Sequence, residues 1–182
     1  MRQIGDAMNR AVTNLLRLDA ELLRLANRIN LRPVLGRFFA RISRLGDGVA
    51  WYALMAILPL LYGAHGLATS LLMISAGVPC TLLYAALKKG ARRPRPFITL
   101  EAIHTTVPPL DEFSFPSGHT MHAFAFTWTA LHGVPGFAPL LVPFALLVAL
   151  SRMVLGLHYL SDVLVGALLG SLVAAVAIAW IG

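Results

Sequence analysis

Acidic side chains are few in this sequence: eight Asp and Glu stand against fifteen Lys and Arg in 182 residues. Charged residues together make up only 13% of the chain while hydrophobic ones make up 58%, and a soluble domain normally carries about a quarter charged, so an ordinary soluble fold is excluded. There is one cysteine, Cys80, and it sits in an apolar run; no disulfide framework is possible and the residue says nothing about compartment. Exposed aromatics interleaved with basic residues, the mark of a nucleic-acid surface, are missing, so nucleic acid is not an expected partner. No His, Cys or carboxylate grouping has metal-ligand spacing, and neither a metal nor another cofactor is expected. A short apolar core followed by a small-residue cleavage site is missing from the first thirty residues, where Arg and Asn recur, so no cleaved signal peptide is expected.

What the chain has instead is apolar length. Uncharged spans lie at roughly 49–62, 67–87, 120–131, 139–150 and 163–181, several extended by flanking residues. A crossing takes about 20 apolar residues, so the chain has room for one domain of five crossings. The expected fold is all-α: a polytopic membrane helix bundle of about five transmembrane helices, with residues 48–182 as the transmembrane core. Trp51, Tyr52, Tyr62, Trp128 and Trp180 fall near span ends, where amphipathic rings settle at the membrane interface.

Residues 1–47 read differently. Ile4, Met8, Ala11, Leu15, Leu18, Leu22, Leu25 and Ile29 recur at spacings of three and four while Arg10, Arg17 and Arg24 line another face, the pattern of an amphipathic helix. Pro33 interrupts it. A second such helix follows, expected to bury Val34, Leu35, Phe38, Phe39, Ile42 and Leu45 opposite Arg37, Arg41 and Arg44, until Gly46 and Gly48 end it. These helices suit an arginine-rich anchor in the headgroup layer, or a packing seam through which an oligomer forms.

Nine of the fifteen basic residues precede Asp47 and five more crowd into 88–95. With two crossings between them, both segments fall on one membrane face, together with Arg152, His158 and Asp162. The opposite face offers only His65 and His132, so function belongs to the charged face. Basic clusters on such a protein point to anionic lipid or to a phosphate site.

Three motifs lie there. Lys88, six residues, then Arg95-Pro96 puts a guanidinium, which grips two phosphate oxygens, beside an ammonium that serves a third; basic residues snorkelling at a span end read the same way. Pro116-Ser117-Gly118-His119 opens the third span, where unpaired backbone N–H groups, the bare Gly118 and the Ser117 hydroxyl make an anion site, or a plain helix cap. Ser151-Arg152, five residues, His158, three residues, then Asp162 is the sharpest. The i to i+4 spacing brings the Asp162 carboxylate beside His158 if the last helix begins early enough, holding one ring nitrogen as N–H and freeing the other to attack. Otherwise Asp162 caps that helix. An Arg, a His and an Asp near membrane depth are costly and favour a functional role.

In order and spacing these motifs resemble the type 2 phosphatidic acid phosphatase superfamily, which includes glucose-6-phosphatase, bacterial acid phosphatases and vanadium haloperoxidases. The resemblance covers 88–162 directly, and every checked position of the family signature is filled. It implies a metal-independent lipid phosphatase of the membrane branch, in which His158 attacks phosphorus, Asp162 orients it, and His119 protonates the departing oxygen before activating water. Lys88, Arg95, Arg152, Ser117 and Gly118 would hold the phosphoryl oxygens. The implied substrate is a phospholipid or polyprenyl phosphate at the cell membrane. The family usually turns its site away from the cytoplasm, whereas the positive-inside rule would place this charged face within it. A lipid-linked phosphotransferase would use the same residues, and a non-catalytic lipid-binding protein would have little use for Asp162. The connection 97–115, with His104, Glu101, Asp111 and Glu112, reads equally as a lid over the headgroup or as a solvated loop.

Overall fold

The computed structural model describes residues 2–182, with side chains from 9 onward except at 11. The described chain is all-α. Helix α1 spans Arg2–Asn27 and passes through a single 3-10 turn, Arg28–Leu31, into α2, Pro33–Arg44, with Pro33 in its first turn, where a missing N–H costs nothing. A broken turn at Leu45–Val49 leads into α3, Ala50–Ala91. The short α4, Pro96–Thr99, precedes a long connection to α5, Gly118–Gly133, and then α6, Ala138–Val154, and α7, Leu160–Ile181, complete the chain.

Helix α3 is two rods. At Gly63 the backbone leaves the helical region with φ 57° and ψ −132°, a conformation that suits a residue without Cβ. The arms 50–62 and 64–91 fold back on each other, so that Ser70 Oγ donates to the Met55 carbonyl at 2.8 Å. Three stretches are long and apolar enough to cross a membrane: Pro33–Thr99, Pro135–Val154 and Leu160–Ile181. Because the first contains the bent α3, and α5 runs between the others, the bundle consists of five apolar rods, matching the five spans expected. Exposed Leu60, Leu71, Leu146, Leu164, Leu168 and Leu172 coat its flanks, an arrangement that hydrocarbon tolerates and water does not.

Helix α5 is the central rod, packing on α3, α6 and α7, with Met73, Ala123, Phe126 and Val148 in the principal core. Its approach to α7 is very close: a Cβ on Gly166 would lie 2.6 Å from the Ser117 carbonyl oxygen, and one on Gly170 would lie 2.1 Å from that of Met121. Small residues four apart let helix backbones meet in this way. The consequence is functional, since it brings the start of α5 against the start of α7 and lets Ser117 N donate to the Asp162 carbonyl at 3.0 Å.

The second N-terminal helix corrects one expectation, the burial of its apolar stripe. Leu15, Leu18, Leu22 and Leu25 are exposed, while α1 buries Asp19, Leu23, Asn27 and, just beyond its end, Asn30 against the rest of the protein. Ile4, Met8 and Ala11 of the expected stripe lie outside the described side chains. Likewise α2 buries Gly36, Phe39 and Ser43 and exposes Val34, Leu35, Phe38 and the following Leu45. Each helix thus buries one bulky apolar side chain, Leu23 or Phe39, among small and polar ones, and turns most of its apolar stripe outward.

Candidate active site

At the charged end of the bundle, the chain ends of four rods and the connection 100–117 enclose a cavity of about 460 Å³. Lys88, Arg95, Gly118, His119, Arg152 and His158 line its polar end. Six residues from three distant motifs therefore meet around one space. Two that sequence reasoning also assigned here, Ser117 and Asp162, are buried behind the wall: Ser117 Oγ pairs with Thr120 Oγ1 at 2.9 Å, and Asp162 faces the rear of His158.

His158 sits in the turn between α6 and α7 and is buried. Its Nδ1 lies 2.6 Å from the carbonyl oxygen of Ser114. A carbonyl only accepts, so Nδ1 carries the hydrogen and Nε2 of the neutral ring keeps its lone pair. Arg95 Nη1 lies 3.3 Å from that Nε2, on the cavity side. Burial, and then the charges of Arg152, Arg95 and Lys88, hold the His158 imidazole well below its ordinary pKa, so the ring is neutral at neutral pH. The Asp162 carboxylate stands 3.8 Å from Nδ1, beyond hydrogen-bond reach, and its oxygens accept from Tyr159 N at 2.9 Å and Arg93 Nη1 at 2.7 Å. Ser114, which belongs to none of the three motifs, supplies the direct contact to the ring, with the carboxylate behind it.

Arg95 is clamped as a fork. Nη1 donates to the Leu157 carbonyl, Nε to the Asp111 carbonyl and Nη2 to Asp111 Oδ1, at 2.9, 2.9 and 2.7 Å. Lys88 Nζ donates to the same Oδ1 and to the Phe113 carbonyl at 3.0 Å. Burial alone would raise the Asp111 pKa, but the hydrogen bond and charge of Lys88 and the charge of Arg95 outweigh it and hold the carboxyl below its ordinary value. Asp111, with Leu110 beside it, reaches the cavity from the long connection, so at this point the loop covers the site. The loop is itself held by α1: Asn27 Nδ2 and Asn30 Nδ2 each donate to the His104 carbonyl at 2.8 Å.

Arg152 differs from the other two cations. Its Nη1 donates to Ser43 Oγ of α2, while its Nε is buried with no hydrogen-bond partner among the described residues. Arg152 lines the cavity, and a buried guanidinium short of partners favours an anion beside it. Across the cavity, His119 in the first turn of α5 has Nε2 3.3 Å from Asp47 Oδ1. His122 also reaches the cavity, with Nε2 3.0 Å from Thr81 Oγ1 and Nδ1 2.9 Å from the Gly118 carbonyl. Among the described residues no group of three or more His, Cys, Asp or Glu side chains is placed to hold a metal ion.

The donor set is thus one for a phosphoryl group: three cations, a helix start, a buried histidine whose unprotonated ring nitrogen meets Arg95, and a second histidine on the same cavity. Comparison with known proteins agrees. The family model of the PAP2 superfamily matches residues 65–182. The crystal structure of Aquifex aeolicus LpxE superposes with a TM-score of 0.76 at 33% identity, covering 88% of this chain and 94% of that one. A transmembrane PAP2-type phosphatidylglycerolphosphate phosphatase from Bacillus subtilis superposes with a TM-score of 0.74 at 26% identity, covering 92% and 86%. Undecaprenyl-diphosphatase BcrC of Bacillus subtilis is 40% identical over 88 residues, 48% of this chain and 42% of its own. Decaprenylphosphoryl-5-phosphoribose phosphatase of Mycobacterium tuberculosis is 39% identical over 90 residues, 50% of this chain and 49% of its own. The chain thus spans less than half the length of these curated relatives. With the bundle, the order of the three motifs and the match over 65–182 in agreement, the protein is a multi-pass membrane protein and belongs to the PAP2 superfamily.

Proposed function

We propose that the protein is an integral-membrane lipid phosphatase that removes a terminal phosphate, from a monoester or a diphosphate, through a phosphohistidine on His158. The observation that carries this is the neutral His158 Nε2 aimed into a cavity walled by Lys88, Arg95 and Arg152. In the first step Nε2 attacks phosphorus, the bond to the leaving oxygen breaks, and His119 gives that oxygen its proton. In the second, His119 takes a proton from water, the water oxygen attacks phosphorus, the P–N bond breaks, and inorganic phosphate leaves with His158 neutral again. The cations neutralise charge on the transferring group, which is the larger part of phosphoryl-transfer catalysis. The Ser114 carbonyl holds the nucleophile's ring, with the Asp162 carboxylate behind it.

The cavity supports a lipid substrate. Away from the cations it is lined by Trp51, Tyr52, Met55, Ile74, Val78 and Leu82, and Tyr52, Ile74, Val78 and Leu82 are exposed on the flank of the bundle, so a chain could lie between the arms of α3 while its phosphate reaches Arg152. Relatives named for polyprenyl and glycerolipid phosphates fit that shape. We place the site at the cell membrane on the face away from the cytoplasm, in keeping with the orientation usual in the family.

Purified protein is to be assayed for phosphate release from phosphatidate, phosphatidylglycerol phosphate, polyprenyl diphosphate and lipid A phosphate. Hydrolysis of at least one is expected, unaffected by a strong chelator and blocked by vanadate, with label trapped on His158 in an acid-free quench and abolished in His158→Ala. Phosphate found on another residue, or release that needs an acceptor lipid, would overturn the assignment, the latter in favour of a phosphotransferase.

A further inference from the structure

The corner between α2 and α3 contributes a residue to this site that the three motifs do not contain. Asp47 lies in the break, with φ −79° and ψ 16°, followed by Gly48 at φ 123°, a left-handed conformation that favours glycine. The corner is wedged in place: a Cβ on the neighbouring Gly46 would meet Val148 Cγ2 of α6 at 2.7 Å. One turn earlier on α2, Ser43 Oγ accepts from Arg152. The break therefore holds Asp47 Oδ1 3.3 Å from His119 Nε2, and the whole corner lies outside the 65–182 family match.

The charges around His119 give this pair its meaning. From α6 the ring faces Arg152, from its own helix His122 and from the α6–α7 turn His158; each cation among these repels an imidazolium. Of the acidic groups at the site, Asp111 is committed to Lys88 and Arg95, and Asp162 to Arg93. Asp47 is the carboxylate that His119 meets. We propose that Asp47 is the positioning residue of the proton donor: it holds the Nε2–H of His119, fixes the ring and favours its protonated form against burial and the Arg152 charge, so that Nδ1 is the nitrogen that delivers and recovers the proton. The inference rests on the phosphatase reading. In the first step Nδ1–H passes its proton to the leaving oxygen and leaves a neutral ring whose Nε2–H stays with Asp47. In the second, Nδ1 takes the proton of the attacking water.

A residue acting through a general acid matters in proportion to how much the leaving group needs a proton. Turnover of phosphatidate, an alkyl ester, should fall about 10-fold to 100-fold in Asp47→Asn, below the about 10² to 10⁴ that a general acid itself contributes. Phosphoenzyme formation from nitrophenyl phosphate, whose leaving group departs without a proton, should change by about threefold at most. Asp47→Glu should recover part of the loss, and Asp47→Asn should cost nothing further in a His119→Ala background. Independently of turnover, ¹⁵N-histidine NMR, with His119 assigned through His119→Ala, should show Nε2 protonated in the wild type and a tautomer mixture in Asp47→Ala. Equal losses on both substrates, faster turnover in Asp47→Asn, or an unchanged tautomer would overturn the inference. Should the wild type hydrolyse none of the four lipid phosphates, the phosphatase reading fails, while the tautomer measurement still decides whether Asp47 governs His119.

Discussion

Replacing Asp111 by Asn probes how the site manages its own charge before a phosphate arrives. Asp111 Oδ1 accepts from both Lys88 and Arg95, and Arg95 also contacts His158 Nε2. The carboxylate oxygen thus occupies a position that a phosphoryl oxygen would take. A phosphate carrying about −1.5 to −2 charges must displace it and then tolerate it nearby. Two unit charges about 4 Å apart interact by about 4 kcal/mol at an effective dielectric of about 20. The Asp111 side chain is 28% exposed and can retreat toward the cavity mouth, so only part of that survives, on the order of 1.5 to 3 kcal/mol, or about 10-fold to 100-fold in affinity. Asp111→Asn should therefore bind vanadate and inorganic phosphate more tightly by that factor in competition assays. The same change leaves Lys88 and Arg95 facing each other without a counter-charge, so thermal stability without ligand should fall and be restored by phosphate. Opposite signs for affinity and stability identify a displaced internal anion. Weaker vanadate binding would refute the reasoning and make Asp111 a scaffold for the cations rather than a competitor.

Two further expectations follow from the same geometry. Because burial and three cations hold His158 well below the ordinary histidine pKa of about 6.5, its ¹³C-labelled imidazole should stay neutral as pH falls through 6.5. Since the unfolded chain takes up that proton and the folded one does not, stability should be full above 6.5 and decline as pH drops below it; titration of His158 near 6.5 would contradict this. The proposed orientation predicts that a single cysteine at Ala102, introduced after Cys80 is replaced, reacts with an impermeant thiol reagent added outside intact cells; protection there with labelling after lysis would place the site on the cytoplasmic face.

How much of this was legible in the sequence divides by the kind of atom involved. Lys88, Arg95, His119, Arg152 and His158 announce themselves because side chains of those types are costly at span ends and recur at spacings that helices convert into proximity. The five rods were legible from uncharged lengths. Ser114 was not, because it acts through a backbone carbonyl and any residue there would offer one. Arg93 stood in a basic cluster with nothing to separate it from Lys89 or Arg92, yet it alone of these three bridges Asp162 and Asp19. Asp19 and Asp47 belong to none of the three motifs. Their importance depends on α1 and α2 docking polar faces inward, with their apolar stripes outward, and a hydrophobic pattern read alone gives the reverse.

The placement of the acids suggests which cation awaits the substrate. Four of the eight, Asp19, Asp47, Asp111 and Asp162, are gathered at this end of the bundle, where burying a charge requires a partner. Lys88 and Arg95 share Asp111, and Arg93 lies between Asp19 and Asp162. Arg152, buried more completely than Lys88, has the Ser43 hydroxyl and an unpartnered Nε. A guanidinium in that state is stabilised most by a doubly charged, multiply accepting group, and a phosphoryl group beside His158 is one. On the proposed function, the first two cations would exchange one anion for another when phosphate binds, whereas Arg152 would gain one. Removing Arg152 should accordingly cost more phosphate affinity than removing Lys88, although both line the same cavity.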